Sequence, residues 1–488
     1  MGRGIERANA VMVTIRSTVK GLSWSAFATI IKAVIQFAVF ILLARSLSLN
    51  ELGIVAFITL LISISQLLSD AGISNALIYF DNLTLSVKKQ LYCLGLGIIV
   101  LISLLISVTL PQIEIFFGIE GLANYQVWIA VILLLRALSA QPLAIMQKQL
   151  LFKNIAFLEV SAAFISLAAL GYALYLKLGV SAALLAHSVN AAVMAIVTTF
   201  ICKKDIGFSI PKYQSIKAPL RYGLYQSAES ILSFVGRQFD QLVVAKMMGA
   251  EVLGVYSYIK ELVAKPALQF INPIVNRVAF PSLVKLKRQA RGALYTKLML
   301  ALGCINIPLY VGIYYYAEFV IQLTFGESWY RYSDIVSIMA ITMLFTALIN
   351  PCGPLLQASG AVRRSFLWNL LVTVKRAVII VIMVQHGLKE LVIALAILQS
   401  IVFLLHWPVL VTPFTDLQFI NFIKSQLPAL SFTTVAMLSS LLLYQHFNLP
   451  MSQGVVLYMV FLLLCMACTL FLLRSRLASL FMEVNNEK

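Results

Sequence analysis

Eight basic side chains lie within stretches that are otherwise hydrocarbon: Lys32, Arg136, Arg237, Lys260, Lys265, Arg277, Lys375 and Arg376. Five acids accompany them, Asp70, Glu159, Glu229, Asp240 and Glu261. A guanidinium offers paired donors that match phosphate oxygens, and an ammonium acts as a compact point charge. The chemistry on offer is recognition of an anion, or exchange of a proton or sodium ion at an acid beside a lysine.

Helical spacing groups these residues. Glu229, Ser233, Gly236 and Asp240 fall on one stripe, and Glu261, Lys265, Gln269, Asn272 and Asn276 on a second. Ser25, Thr29, Lys32 and Gln36 form a third. On insertion scales a charge at bilayer centre costs about 2.5–3.5 kcal/mol. A dozen facing lipid would exceed the typical folding stability of about 5–15 kcal/mol. The stripes are therefore expected to wall a hydrated cavity or to pair with one another.

Depth sorts them further. Lys32, Arg136, Lys265, Lys375 and Arg376 fall nearest the midplane, where only Glu229 and Glu261 are acids of comparable depth. The cavity is expected to be net positive, with those five cations holding an anionic substrate. Gln36, Glu229, Asp240, Glu261, Gln269, Asn272, Asn276 and Arg277 are the candidates for lining the cavity or coupling to an ion. Asp70 and Glu159 fall near helix ends and read as interfacial. Arg237, Asp240 and Lys260 read equally as internal pairs or snorkelling groups. Pro266 and Pro273 in one helix, and Pro351, Gly353 and Pro354 in the run NPCGP, are candidate hinges. Pro281 reads as a packing kink.

The elements that must position these groups follow from composition. The chain has 488 residues, 61% hydrophobic and 11% charged, with a mean hydropathy of +0.93. So few charges cannot cover so much apolar surface in a soluble domain, so the chain is an integral membrane protein. The net charge of +18 is spread over short loops, an orientation signal and not a nucleic-acid surface. The six cysteines are scattered in apolar runs, and the Cys465–Cys468 pair has no second pair with which to hold a metal. The basic N-terminus resembles the start of a signal peptide but leads into a long apolar run, read as an uncleaved first helix.

At roughly 20 apolar residues per crossing, the chain divides into about fourteen spans, near 21–45, 52–72, 90–110, 126–146, 155–176, 180–202, 222–246, 252–282, 296–316, 333–358, 366–386, 390–412, 428–446 and 454–474. With both termini cytoplasmic, the inner loops hold about two dozen Lys and Arg and the outer loops about five. Lys203, Lys204, Lys212, Lys217 and Arg221 mark one inner connection; Lys285, Lys287, Arg288, Arg291 and Lys297 mark another. The aromatic runs YYY (314–316) and WYRY (329–332) read as an interfacial belt.

Two stretches repeat. GLSWSA (21–26) and LLARSLSLNELG (42–53) flank the first span, and GLYQSA (223–228) and VVAKMMGAEVLG (243–254) flank the seventh. Both spans start on the same side, which makes this a parallel repeat of two six-helix lobes around a central cavity. The expected organisation is residues 1–204, a linker over 205–221, a second lobe over 222–412, and a terminal helix pair within 413–488.

SDAGISNALI (69–78), IMQKQLLFKNIAFLE (145–159), INPIVNRVAFPSL (271–283) and FGESW (325–329) carry a family likeness. With them the chain resembles the oligosaccharide flippases of the polysaccharide transporter family, in the multidrug/oligosaccharidyl-lipid/polysaccharide superfamily. It is most like the Wzx-like, colanic-acid exporter type. The resemblance implies fourteen helices in two six-helix lobes plus a terminal pair, and the chain is not expected to be an enzyme. It also implies an undecaprenyl-pyrophosphate-linked oligosaccharide moved across the bacterial inner membrane by alternating access. It carries Asp70, Asn75, Gln147, Lys148, Asn272, Pro273 and Arg277 as family features, with Gln147 and Lys148 at a gate or loop. Membrane lipids, a polysaccharide polymerase and chain-length proteins are the expected partners; no cofactor is expected beyond a coupling ion, H+ or Na+. The alternatives are a lipid II-type flippase, an ion-coupled exporter of the same superfamily, and a membrane polymerase or glycosyltransferase. Outer loops of about 4–20 residues argue against the last of these.

Overall fold

Backbone groups in hydrocarbon find no water, so a chain this apolar satisfies them within helices. The structure, a computed structural model, describes residues 28–81, 83–284, 286 and 288–467, and no strand occurs among them. The spans expected at 21–45 and 454–474, with Ser25 and Cys468, lie partly outside the described residues.

The chain divides into two compact units, one ending at Ser257 and one beginning at Tyr258. The first contains α1 (Ala28–Ser46), α2 (Leu49–Asp70), α3 (Ile73–Tyr79), α4 (Leu85–Phe117), α5 (Gln126–Lys148), α6 (Phe152–Tyr175), α7 (Val180–Ile201) and most of α8 (Tyr213–Lys265). Helix α5 is its hub and packs on α2, α3, α4 and α7, while α6 packs on α7. The core beneath α3 joins Ile73, Leu77, Leu91, Ile145, Met146 and Ile155.

Local chemistry sets the limits of α2. The Ser48 hydroxyl accepts from Glu51 N at 3.3 Å, and Glu51 Oε2 accepts from Ser48 N at 2.8 Å, a reciprocal capping box. At the far end Ala71 (φ 45°) and Gly72 (φ 67°) turn left-handed and stop the helix before α3 begins. Helix α8 is interrupted at Gly249, whose φ of 82° suits glycine.

The Gly249 break aligns with the Ser46–Ser48 turn of the first repeat, and the two turns meet. A methyl built on Gly53 would lie 1.7 Å from the Ala250 carbonyl oxygen, and one on Gly254 would lie 2.3 Å from that of Leu49. In the repeat alignment Leu49 corresponds to Ala250 and Gly53 to Gly254. Position i touches j and j touches i, the pairing that a local two-fold produces. At the other end of α2, Gly72 and Gly223 meet in the same backbone-to-backbone manner.

The second unit holds α9 (Asn272–Val284), α10 (Arg288–Tyr315), α11 (Ala317–Thr324), α12 (Ser333–Ile349), α13 (Cys352–Ala358), α14 (Val362–Met383), α15 (Leu388–His406), α16 (Thr412–Thr415), α17 (Phe419–His446) and α18 (Met451–Ala467). Helix α10 packs on α12 and α17, and α12 on α15. Tyr295, Trp407, Phe403 and Phe422 form the aromatic centre of one core; Tyr316, Phe432 and Tyr458 anchor another. Proline interrupts the helices at Pro266, which opens a π-turn over Pro266–Ile271, and at Pro351, between α12 and α13. The carboxamides of Asn276 and Asn350 tie α9 to the second break, at 2.9 and 3.4 Å.

By length and composition 12 described helices suffice to cross a membrane, not fourteen. The difference arises at two places. Tyr213–Ile271 counts as one run although Gly249 interrupts it, and α18 is one of the shorter apolar helices within the described residues. The outward apolar face of α4, with Leu101, Leu104, Leu105 and Val108 all exposed, is a surface suited to lipid. The protein is a multi-pass membrane protein.

Substitution at the reciprocal glycine contact is expected to be costly. Gly53→Ala should lower stability by about 1–3 kcal/mol through overpacking, read as an earlier thermal transition of the purified protein. Gly97→Ala, where nothing lies within 4 Å of the added methyl, should melt like the wild type. Equal melting of all three proteins would show that the seam is not tightly packed.

Candidate functional site

A cavity of about 820 Å³ opens within the first unit, a size common for small-molecule sites. Helix α2 supplies Ser63, Gln66, Ser69 and Asp70; α5 supplies Arg136, Ser139 and Gln141; α7 supplies Asn190. From α8 come Gln226, Glu229, Ser230, Ser233, Phe234 and Arg237, a stripe advancing by three or four residues along one helical face.

The expected stripe on α8 is thus present at Glu229 and Ser233, but it continues through Arg237. Asp240 lies beyond the lining at 1% exposure. Its Oδ2 accepts from the Tyr256 hydroxyl at 2.7 Å and its Oδ1 from Gln241 N at 2.9 Å. Those bonds explain how a carboxylate is accommodated there.

Of the five cations assigned to substrate, Arg136 lines the cavity. Its Nη1 donates to Gln66 Oε1 at 3.1 Å. Lys32 instead forms an ion pair with Glu159 at 3.0 Å, both side chains about one-third exposed. The other three belong to the second unit or the end of α8. Lys265 is paired with Glu261 at 2.8 Å in the Glu-to-Lys order that favours a helical pair. Lys375 is exposed on α14 and Arg376 is half-buried.

The remaining candidates are spread along the chain. Gln36 is exposed on α1 and Gln269 is exposed within the π-turn; Asn272 is buried, and its Oδ1 lacks a hydrogen-bond partner. Asn276 is engaged with Asn350, and the side chain of Arg277 lies outside the described residues. Pro266 and Pro351 stand at the helix breaks, Pro273 is the second residue of α9, and Gly353 and Pro354 lie within α13. Lys148 donates to the carbonyls of Leu77 and Phe80 and so caps the end of α3.

Two features add to what the sequence predicts. The cavity of the first unit is lined by two arginines, Arg136 and Arg237, and two carboxylates, Asp70 and Glu229. Asp70 is not merely interfacial: it lines the cavity where α2 stops, and its Oδ1 accepts from both the hydroxyl and the amide of Ser74. The neutral polar lining is a further addition. Gln66 lies four residues before Asp70, on the same helical face, a signal open to a reading that follows amides as well as charges. Gln141 gives no such signal, because its role depends on the fit against Gly95 and Leu91 of another helix.

A bundle of apolar helices with a wall of amides, hydroxyls and opposed charges defines a polytopic membrane protein. Residues 42–334, more than half of the chain, match the family described as "Polysaccharide biosynthesis protein", and the chain belongs to that family. It is 27% identical to the lipopolysaccharide biosynthesis protein WzxC of Escherichia coli over 363 residues, 73% of each chain. It is 27% identical to the teichuronic acid biosynthesis protein TuaB of Bacillus subtilis over 359 residues, 72% of this chain and 74% of that one. The fold matches the lipid II flippase MurJ in an inward closed conformation. The TM-score is 0.72, covering 93% of this chain and 99% of that one at 13% identity.

The Asp240–Tyr256 bond is expected to serve stability. Tyr256→Phe leaves a buried carboxylate short of a donor and should lower stability by about 1–3 kcal/mol. Thermal unfolding of the purified variant measures this; an unchanged transition would show that the bond contributes nothing.

Proposed function

We propose that the protein is a flippase for an undecaprenyl-pyrophosphate-linked oligosaccharide. It would carry that lipid from the inner to the outer leaflet of a bacterial inner membrane by alternating access, for surface polysaccharide synthesis. The observation that carries the reading is the polar cavity of the first unit, with Arg136 on its wall, in a chain of the polysaccharide biosynthesis family. A glycan needs a polar path through hydrocarbon, and a pyrophosphate needs a donor that keeps its charge there. Support comes also from the names of the relatives, which place them in lipopolysaccharide and teichuronic acid biosynthesis, and from the fold shared with a lipid II flippase.

In this reading Arg136 binds pyrophosphate oxygens, while the amides and serines around it receive sugar hydroxyls. Lys265, Lys375 and Arg376 are the contribution of the second unit to cargo binding, and Lys32 orders α1 through Glu159. A gradient of H+ or Na+ supplies the coupling. No bond of the cargo is made or broken. The basic loops support a cytoplasmic position for both termini, and in this reading a polymerase with its chain-length proteins receives the product.

A leaflet-resolved assay of a lipid-linked oligosaccharide in proteoliposomes tests this. Wild type should flip the lipid. Arg136→Gln should slow flipping about tenfold or more, the worth of a charged hydrogen bond, and Lys265→Ala and Arg376→Ala should also slow it. Flipping by all variants at the wild-type rate would remove the binding assignment. No flipping of any such lipid by wild type would overturn the reading, and transport of lipid II alone would transfer it to that cargo.

A further inference from the structure

The connection from α7 to α8 is fastened to α4 at three points. Lys88 donates to Asp205 at 2.7 Å, the Ser209 amide to Cys93 Sγ at 3.1 Å, and the Lys212 amide to Gln90 Oε1 at 2.9 Å. Fastened in this way, it still presents Phe208 at 93% exposure and Ile210 at 84%. Positive charge around these side chains is unbalanced. Lys204, Lys212, Lys217 and Arg221 are exposed, and no carboxylate pairs with them among the described residues. Asp205, the one acid between Cys202 and Arg221, is occupied by Lys88. Helix α8 has no acid in its first turn, so nothing there offsets the positive end of its dipole. Lys217 and Arg221, four apart on one face of α8, border a hollow of about 510 Å³ together with Tyr222 and Tyr225. Tyr222 is held in place by stacking on Tyr79, with ring centroids 4.5 Å apart.

Exposed apolar side chains are stabilised by hydrocarbon, and unpaired bases by anions. A leaflet containing anionic phospholipid offers both at one surface. The bases are strung along the chain from Lys203 to Arg221 and do not converge on one point. That arrangement matches many singly charged headgroups better than one doubly charged group. We propose that residues 203–225 form an interfacial binding site for anionic phospholipid. Lys217 and Arg221 hold a headgroup phosphate in the hollow on α8, Lys204 and Lys212 meet neighbouring headgroups, and Phe208 and Ile210 enter the acyl boundary. The site requires a membrane and does not rest on the flippase reading.

The test titrates the purified full chain in detergent with radiolabelled dioleoylphosphatidylglycerol, and uses dioleoylphosphatidylcholine as the neutral competitor. Wild type should bind the anionic lipid saturably, lose affinity as salt is raised, and keep the label against an equal concentration of the neutral lipid. The triple variant Lys212→Gln, Lys217→Gln, Arg221→Gln should bind about a hundredfold more weakly. Phe208→Ser with Ile210→Ser should weaken binding about tenfold through lost apolar contact. Lys177→Gln removes an exposed charge before the start of α7, at its opposite end, and should bind as wild type does. Melting of each variant in lipid-free detergent, compared with wild type, separates lost binding from lost folding. Equal displacement by the neutral lipid, or wild-type affinity in the folded triple variant, overturns the site. Displacement of the label by undecaprenyl pyrophosphate at far lower concentration than by phosphatidylglycerol also overturns it, and assigns these bases to cargo. The first two results leave the flippase reading intact, since the leaflet assay tests that separately.

Discussion

Removing a charge from water without a partner is the constraint that organises this protein. The exterior is hydrocarbon, so every ionised side chain at membrane depth must be paired, bonded or hydrated. The structure shows ion pairs, hydrogen bonds and a polar cavity. Lys32 with Glu159 and Lys265 with Glu261 are pairs. Asp240 is bonded to Tyr256 and to a backbone amide. Asp70, Arg136, Glu229 and Arg237 line the cavity.

The backbone obeys a related constraint. Helices in lipid associate through close packing and not through the hydrophobic effect, so glycine at a crossing has unusual value. The reciprocal contacts of Gly53 with Ala250 and of Gly254 with Leu49 join the turns of two repeats at one point. A duplicated helix pair meeting across a local two-fold yields such a seam, because each copy brings the same glycine to the same neighbour. Gly72 and Gly223 close the other end of the α2–α8 contact, and the polar stripe of α8 lies between the two.

Much of this architecture is legible in the sequence because it depends on local patterns. Span positions follow from runs of apolar residues, and the repeat is readable from GLYQSA and VVAKMMGAEVLG, the second of which contains the turn at Gly249. Arg136 and Glu229 are readable from depth alone. Glu159 is not recognisable as the partner of Lys32, since the two are 127 residues apart and only tertiary packing joins them. Asp70 reads as interfacial when a helix end is equated with the membrane surface, whereas α2 stops beside the cavity at two left-handed residues. Gln141 is unreadable in principle. Its free oxygen exists because the Leu91 carbonyl captures the other half of the amide.

The charge balance of the cavity bears on how an anionic cargo and a cation would interact. With two arginines against two carboxylates, the formal charges of the wall balance. Neutralising one carboxylate of such a wall would leave the arginines in excess and strengthen the field for an anion. Binding free energies are reciprocal, so a cation that improves cargo affinity is itself held more tightly when cargo is bound. The low dielectric enlarges this coupling relative to water. A wall of balanced charge differs in this respect from a fixed cationic one, which would hold an anion in every state.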